Sequence, residues 1–156
     1  MRYASIRTMD ISDGEGVGMA LFVQGCHFHC KNCFNQETWD FSKGKEWTKE
    51  TEKHFMDLVK RPFIERVSFL GGEPLADENV ETVLHLLEKV KKIKGKKVWL
   101  YSGYTKEVIE KDEKRKRVLD FADVLVDGQY VDALRDLNLD FRGSSNQRIL
   151  RKGKDF

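Results

Sequence analysis

All three cysteines of this sequence lie in one short stretch, at Cys26, Cys30 and Cys33, with the spacing C-x3-C-x2-C. Thiolates so close in the chain can bind three irons of a cubic 4Fe–4S cluster and leave the fourth iron without a protein ligand. Clusters that only carry electrons normally take four cysteines. The spacing therefore indicates a cluster whose open iron binds a small molecule, which means chemistry as well as electron transfer.

Zinc is the main alternative for these thiols. A structural zinc site takes thiolates and imidazoles in a tetrahedral arrangement, and His27 or His29 could supply the fourth ligand. Zinc ligands usually come in two pairs separated by a longer stretch, whereas these would all lie in one loop. An odd number of cysteines argues against a disulfide framework. The cluster is favoured, with zinc or a set of idle thiols left open.

Polar and glycine residues elsewhere could complete a ligand site. In the turn Gly71-Gly72-Glu73, two glycines let the backbone approach a ligand closely, and the carboxylate could hold an ammonium group. The alternative is a tight strand–helix turn with an exposed glutamate. Ser102 and Asp127 could bind ribose hydroxyls, a water or a cation, or they could be ordinary turn residues.

Aromatic side chains accompany these motifs. Phe34 and Tyr104 could flank an aromatic ring of a ligand, or they could close the core, which is the favoured interpretation. His27 and His29 are expected to shield or hydrogen-bond a cluster rather than to ligate it.

The elements that must position these residues alternate between strand and helix. Apolar runs predict four buried strands at Met19–Gln24, Arg66–Leu70, Lys97–Tyr101 and Asp123–Val126. Helical periodicity and capping residues predict helices over Thr48–Lys60, from Asp77 to Gly95, and from Thr105 to about Leu119. Residues 1–18 are glycine-rich and expected to be irregular toward their end, over Asp13–Gly18, and the tail from Val131 is expected to be less regular.

A β-α-β-α-β-α-β order predicts an α/β fold with a parallel sheet. All four candidate motifs follow strand ends, so they gather at the carboxyl edge of that sheet. A curved sheet is favoured over a flat one because it directs all four strand ends towards the same opening. A complete eight-unit barrel needs about 250 residues, and this chain has 156. We therefore expect one domain over 1–156, a partial (β/α) barrel open on one side.

Composition excludes several classes of protein. The chain is 40% hydrophobic and 35% charged, and its net charge is only +2. It therefore lacks the large positive charge that would attract nucleic acid. Its basic runs, Lys89–Lys97 and Lys111–Arg117, are interpreted as solvated helix ends. It contains no run of about 18 apolar residues that could span a membrane. The cysteine usage and the lack of an N-terminal signal segment predict a cytoplasmic protein.

The motifs together resemble a known family. Cys26-x3-Cys30-x2-Cys33 followed by Gly71-Gly72-Glu73 resembles the radical S-adenosylmethionine enzymes. Cys33-Phe34-Asn35-x-x-Thr38-Trp39 resembles the glycyl-radical-enzyme activases among them. The segments Val124–Gly128 and Phe141–Arg148 resemble the activating proteins of anaerobic ribonucleoside-triphosphate reductase. The match runs in order from about Ile11 to Arg148, and the tail over about 131–156 is its most subfamily-specific part.

Two positions depart from the usual patterns. Most radical S-adenosylmethionine enzymes have an aromatic residue just before the third cysteine, where this chain has Asn32. The lead-in that usually reads Gly-Pro-Gly is Gly14-Glu15-Gly16 here. Both departures affect the surroundings of the cysteine motif and leave the motif itself intact.

The resemblance implies a division of roles. Cys26, Cys30 and Cys33 would hold a 4Fe–4S cluster whose open iron is chelated by S-adenosylmethionine. The cofactor would also contact Asn32, Cys33 and Phe34 at its adenine, and Gly71, Gly72 and Glu73 at its methionine amino end. Ser102 and Asp127 would contact the cofactor or a nearby cation. No catalytic residue is implied beyond the cluster and the cofactor.

The implied reaction needs two partners. A one-electron donor reduces the cluster, S-adenosylmethionine is cleaved to a 5′-deoxyadenosyl radical, and the radical takes a hydrogen atom from a glycine of anaerobic ribonucleoside-triphosphate reductase. The alternatives are a radical S-adenosylmethionine enzyme acting on a small molecule, and a non-enzymatic zinc or iron–sulfur module.

Overall fold

The computed structural model describes residues 1–156 and contains seven β-strands and three α-helices. The strands are β1 (Arg2–Asp10), β2 (Gly18–Val23), β3 (Lys45–Glu46), β4 (Arg66–Gly71), β5 (Lys97–Ser102), β6 (Val124–Asp127) and β7 (Arg148–Arg151). The helices are α1 (Lys49–Val59), α2 (Val80–Lys91) and α3 (Lys106–Glu110). Short 3-10 helices cover Gln36–Thr38, Lys116–Asp120 and Asp132–Leu134. None of the helices is both long and apolar enough to cross a membrane.

All seven strands belong to one open sheet, in the order β3-β1-β2-β4-β5-β6-β7. The four central strands, β2, β4, β5 and β6, pair in parallel. They are the four strands predicted from apolar runs, and their ends agree with the prediction to within one residue. The mostly parallel, open sheet confirms the predicted α/β fold, a partial barrel open on one side.

The sheet is wider than the sequence predicted. β1 pairs antiparallel with β2 and with β3, and β7 pairs antiparallel with β6. No strand was predicted over Arg2–Asp10, whereas the irregular stretch expected toward Gly18 is present, since no strand or helix covers residues 11–17. β1 is mostly half-buried or exposed and its register shifts twice against β2. A strand of this kind lacks the continuous apolar run that marks a strand buried on both faces.

Three helix ends also differ from the prediction, and one of them is the end of α2, which lies at Lys91 instead of near Gly95. α1 begins as expected, with the Thr51 backbone N–H donating to the side chain of Thr48 at 3.1 Å. α2 begins after Asn79 instead of Asp77. α3 ends at Glu110, and the chain continues in a 3-10 helix rather than to Leu119. The cause is Asp112, whose carboxylate accepts hydrogen bonds from the N–H groups of two following residues and so competes with the helical backbone pattern.

Alternate residues of the central strands point to opposite faces of the sheet. On one face, Leu21, Phe69 and Leu100 join residues of the three helices in a core of 23 buried side chains. On the other face, Phe22 and Leu70 belong to a separate cluster that contains no helix residue. The helices therefore cover one face only, and the second face is free to line a cavity.

Candidate active site

A cavity of about 420 Å³ lies on the face of the sheet that the helices leave uncovered. Residues of that face line it, namely Phe22, Leu70, Tyr101 and Val126. The cavity is also lined by most of the predicted site residues, namely Cys26, Cys30, Cys33, Phe34, Gly71, Gly72, Glu73 and Ser102. Motifs from separate strand ends thus meet around one space, as the parallel sheet predicted. Asn32 and Asp127 are the predicted residues that do not line it.

The cysteine loop is fixed at its base to the segment that follows it. The Gly25 N–H donates to the carbonyl of Thr38 at 2.6 Å, and the Cys26 N–H donates to the carbonyl of Trp39 at 3.1 Å. Within the loop, His29 and Asn32 have φ of 49° and 57°. This left-handed conformation is uncommon for residues other than glycine and tends to cluster at functional sites. It turns the chain sharply between successive cysteines.

The three thiols are unpaired and half-buried. Burial raises the pKa of Cys26 and Cys30 above the ordinary value of a thiol. The Asn35 N–H approaches the Sγ of Cys33 at 3.4 Å. No three His, Cys, Asp or Glu side chains converge as the ligands of a single metal ion would. A cubic 4Fe–4S cluster needs a different arrangement, because each thiolate binds a separate iron. Three free thiols around one cavity fit that arrangement.

The two histidines of the loop make contacts outside the cavity that the three thiols share. His27 Nε2 lies 2.9 Å from Glu78, and its ring packs against Phe41. The His29 ring stacks on Trp39 with 4.5 Å between ring centroids. Neither histidine lines the cavity that the three cysteines share. The arrangement offers no imidazole as a fourth ligand beside the thiols.

The glycine pair joins its turn to the cysteine loop. The Gly72 N–H donates to the carbonyl of Val23 at 2.9 Å, and the Glu73 N–H donates to that of Gly25 at 2.8 Å. A side chain at Gly72 would overlap the backbone of Gly25. Gly71 has φ of +100° and packs against the backbone of β2. Both glycines are therefore required for packing, whatever they contact in the cavity.

Glu73 is buried, with 3% of its surface exposed. Its Oε1 accepts from the Gly103 N–H at 2.7 Å, and its Oε2 accepts from Ser102 Oγ at 2.9 Å and from the Leu75 N–H at 2.8 Å. Burial raises its pKa to about 7 in spite of these donors. The alternative of a turn with an exposed glutamate is therefore wrong. A desolvated carboxylate at a cavity wall favours a cationic neighbour.

Comparison with known proteins identifies the family. Residues 12–150 match the family model described as a 4Fe-4S single cluster domain. The anaerobic ribonucleoside-triphosphate reductase-activating protein of Vibrio cholerae is 38% identical over 97% of this chain and 98% of its own length. The proteins of the same name from Haemophilus influenzae and Escherichia coli K12 are each 36% identical, over 97% and 96% of this chain and 98% and 97% of their own lengths. The chain belongs to this family of reductase-activating proteins. The predicted resemblance and the predicted 4Fe–4S cluster are thereby confirmed.

Two residues predicted for the cofactor take part in other contacts. In this activating protein, Asp127 accepts from the Lys106 N–H at 2.7 Å and pairs with Arg148 at 2.5 Å. It is almost fully buried and ties α3 and β7 to the end of β6. Asn32 donates to Asp132 at 2.8 Å and so holds the cysteine loop against the tail. Their predicted cofactor contacts stay predictions.

The two aromatic residues behave differently. Phe34 is 53% exposed, lies 4.9 Å from the ring of Tyr130 and has Arg135 over its face. Its assignment to the core was therefore wrong. Tyr104 packs against the main core, as favoured, with its ring 4.9 Å from that of Phe28.

Asp13 lines the cavity and belongs to a buried polar cluster that sequence patterns did not reveal. Arg66 pairs with Asp10 at 3.0 Å and donates to Ser68 Oγ at 2.5 Å, while Ser68 Oγ donates to the carbonyl of Asp13 at 2.6 Å. Burial, reinforced by the nearby carboxylate of Asp10, raises the pKa of Asp13. A side chain at Gly14 would overlap Arg66. The glycine-rich lead-in of this family member thus makes room for a buried arginine.

Proposed function

We propose that this chain is an activase that installs a glycyl radical on anaerobic ribonucleoside-triphosphate reductase. One observation carries the proposal. The three thiols share a cavity with Glu73, a buried carboxylate that Leu75, Ser102 and Gly103 hold in place by hydrogen bonds. This arrangement provides both a ligand set for an iron–sulfur cluster and a separate receptor for a cationic cofactor, in a chain whose full-length relatives carry the activating-protein name.

The cofactors supply the radical chemistry. When bound, a cluster held by the three cysteines and S-adenosylmethionine would supply the one-electron reductive cleavage and the radical that removes a hydrogen atom from a glycine Cα of the reductase. The protein supplies placement and the exclusion of water. Cys26, Cys30 and Cys33 are the proposed cluster ligands. Asn32, Cys33 and Phe34 are proposed to contact the adenine, and Asp127 the cofactor or a cation.

Glu73 is the proposed receptor for the ammonium group of the cofactor. Its oxygens already accept three hydrogen bonds from the protein, so its orientation is fixed before the ligand arrives. Ser102 contributes one of these bonds and is proposed to act through Glu73. A positive group beside the buried carboxylate compensates for its desolvation. The ammonium end of S-adenosylmethionine is such a group, and a neutral analogue is expected to bind more weakly.

Substrate access depends on the open side of the sheet. Reacting atoms must come within about 3–3.5 Å of each other, so the target glycine has to enter the cavity on an extended loop. The tail contributes Phe141, Arg142 and Gly143 to the cavity lining. We propose that a loop of the reductase passes over this segment. A one-electron donor completes the system, and the need for reducing conditions supports a cytoplasmic site of action.

The test starts with protein purified and reconstituted without oxygen. We expect about four irons and four sulfides per chain, iron–sulfur absorption, and formation of 5′-deoxyadenosine from S-adenosylmethionine after reduction. With the reductase added, its EPR spectrum should show a glycyl radical doublet. Colourless protein with one zinc per chain would refute the proposal. Turnover of a metabolite without any partner protein would favour the small-molecule alternative.

A further inference from the structure

The buried polar atoms that lack a hydrogen-bond partner all belong to residues around the cavity. Four buried side-chain nitrogen or oxygen atoms form no hydrogen bond, and they belong to Asp13, Trp39, Tyr101 and Arg142. The Asp13 oxygen keeps an ion pair with Arg7 at 3.5 Å, whereas no ion pair or hydrogen bond is found for the other three atoms. Each of these residues lines the cavity. Leaving a buried polar group unsatisfied costs about 1–3 kcal/mol. Because the polar groups without hydrogen bonds surround one cavity, we expect ligands bound in that cavity to supply the missing partners.

Trp39 is the member of this set that the cysteine loop holds directly. Its carbonyl accepts the Cys26 N–H at 3.1 Å, and its indole stacks on His29 with an interplanar angle of 7°. The two residues that fix it are therefore the first cysteine of the motif and the residue just before the second. The indole cannot turn away without breaking the stack. The stack and the backbone bond therefore restrain the indole beside the cysteine loop.

The chemistry of the indole restricts what the missing partner can be. An indole Nε1–H is a donor only, so its partner must be an acceptor. No side chain or carbonyl of this chain accepts it. The ligand expected beside Cys26 is an iron–sulfur cluster, whose sulfides and thiolates are anionic acceptors. Hydrogen bonds to these sulfurs are one of the means by which proteins set a cluster's reduction potential.

We propose that the Trp39 indole N–H donates a hydrogen bond to a sulfur of the cluster site and raises the reduction potential of the cluster. This inference rests on the cluster ligands proposed above. The added electron makes the cluster more negative, and a donor aimed at its sulfur stabilises the reduced form more than the oxidised form. Trp39 is thus a positioning and tuning residue for the cluster, and it contacts no reacting atom of the substrate.

The test compares W39F with wild type. Phenylalanine keeps a ring to stack on His29 but has no N–H. W47F is the matched control, because the Trp47 indole N–H points to Glu52 at 3.5 Å and Trp47 does not line the cavity. The measurements are iron and sulfide content, the midpoint potential from an EPR-monitored titration, and the hyperfine coupling of ¹⁵N-labelled indole to the reduced cluster in wild type.

We expect wild type to show an indole ¹⁵N coupling that W39F lacks. The midpoint potential of W39F should shift to a more negative value, and that of W47F should stay at the wild-type value. The inference is overturned if wild type carrying a full cluster shows no indole coupling, or if loaded W39F keeps the wild-type potential. If W39F does not retain a cluster, the presence or absence of the indole ¹⁵N coupling in wild type alone supports or overturns the inference. Wild type that binds no cluster would instead refute the proposed function.

Discussion

The buried carboxylate of Glu73 makes the stability of the cluster-free protein depend on pH. Burial raises the pKa of this group from 4.5 to about 7. Because the folded state holds the proton more tightly than the unfolded state, folding takes up a proton in this pH window. The free energy of unfolding therefore falls as the pH rises from about 4.5 to 7, and the stabilisation is lost above the folded pKa.

The size of the effect follows from the shift. A shift of one pKa unit corresponds to about 1.4 kcal/mol, so ionising Glu73 in the folded state costs about 3 kcal/mol by pH 8. In E73Q no proton is exchanged at this position. The amide NH2 replaces an oxygen that accepts a backbone N–H, from Gly103 or from Leu75, so E73Q loses one of these hydrogen bonds at every pH, at a cost of about 1–3 kcal/mol. We therefore expect E73Q to be less stable than wild type near pH 5, and the difference to shift in favour of E73Q by about 3 kcal/mol between pH 5 and pH 8.

Urea unfolding followed by tryptophan fluorescence, from pH 5 to 8 with a reductant, measures this difference. Asp13 titrates in both proteins because its pKa is also raised by burial, and the comparison of the two profiles removes its contribution. E78Q is the control, since Glu78 is a half-exposed surface carboxylate paired with His27. Its profile should run parallel to that of wild type. A constant difference between wild type and E73Q over the whole pH range would refute the reasoning.

Three further predictions concern the architecture of the site. G72A should lower the free energy of unfolding by about 1–3 kcal/mol, the usual cost of overpacking, because the new methyl group overlaps the cysteine-loop backbone; an unchanged urea midpoint would contradict this. R148A leaves the buried carboxylate of Asp127 without its cation and should lower the free energy of unfolding by about 2–3 kcal/mol. This loss is smaller than for a fully buried ion pair because the Arg148 side chain is 43% exposed. R151A breaks an exposed ion pair and should cost less than about 1 kcal/mol, so equal midpoints for the two arginine variants would refute the assignment. C30A should keep its circular dichroism spectrum and lose iron and cofactor cleavage, whereas a loss of folding would favour a structural metal site.

The sequence predicted the parts of the fold that are buried on both faces. The strands of the sheet centre are continuous apolar runs, and their carboxyl ends place the cysteine loop and the Gly71–Glu73 turn at one edge. β1 and β7 were missed because outer strands are partly exposed and their sequences carry mixed patterns. The early end of α3 depends on the side chain of Asp112, a local competition that helical periodicity does not report.

The site was predictable in its ligand types and less so in its supporting contacts. The cysteine spacing and the glycine pair are local patterns, and both lie at the cavity. The bond from Ser102 to Glu73 joins residues 29 positions apart in the chain, and its existence depends on which strands are neighbours. Trp39 has a nitrogen without a partner, a property that appears only when every donor and acceptor around it is known.

One backbone hydrogen bond, from the Glu73 N–H to the Gly25 carbonyl, joins the Gly71–Glu73 turn to the start of the cysteine loop, and the Gly72 N–H fixes the same turn to the end of β2 at Val23. A displacement of the loop is therefore passed on to the glutamate. Both bonds join backbone groups and do not depend on the metal, so loss of iron alone leaves the turn in place. We expect damage that displaces the loop to weaken cofactor binding as well as iron retention.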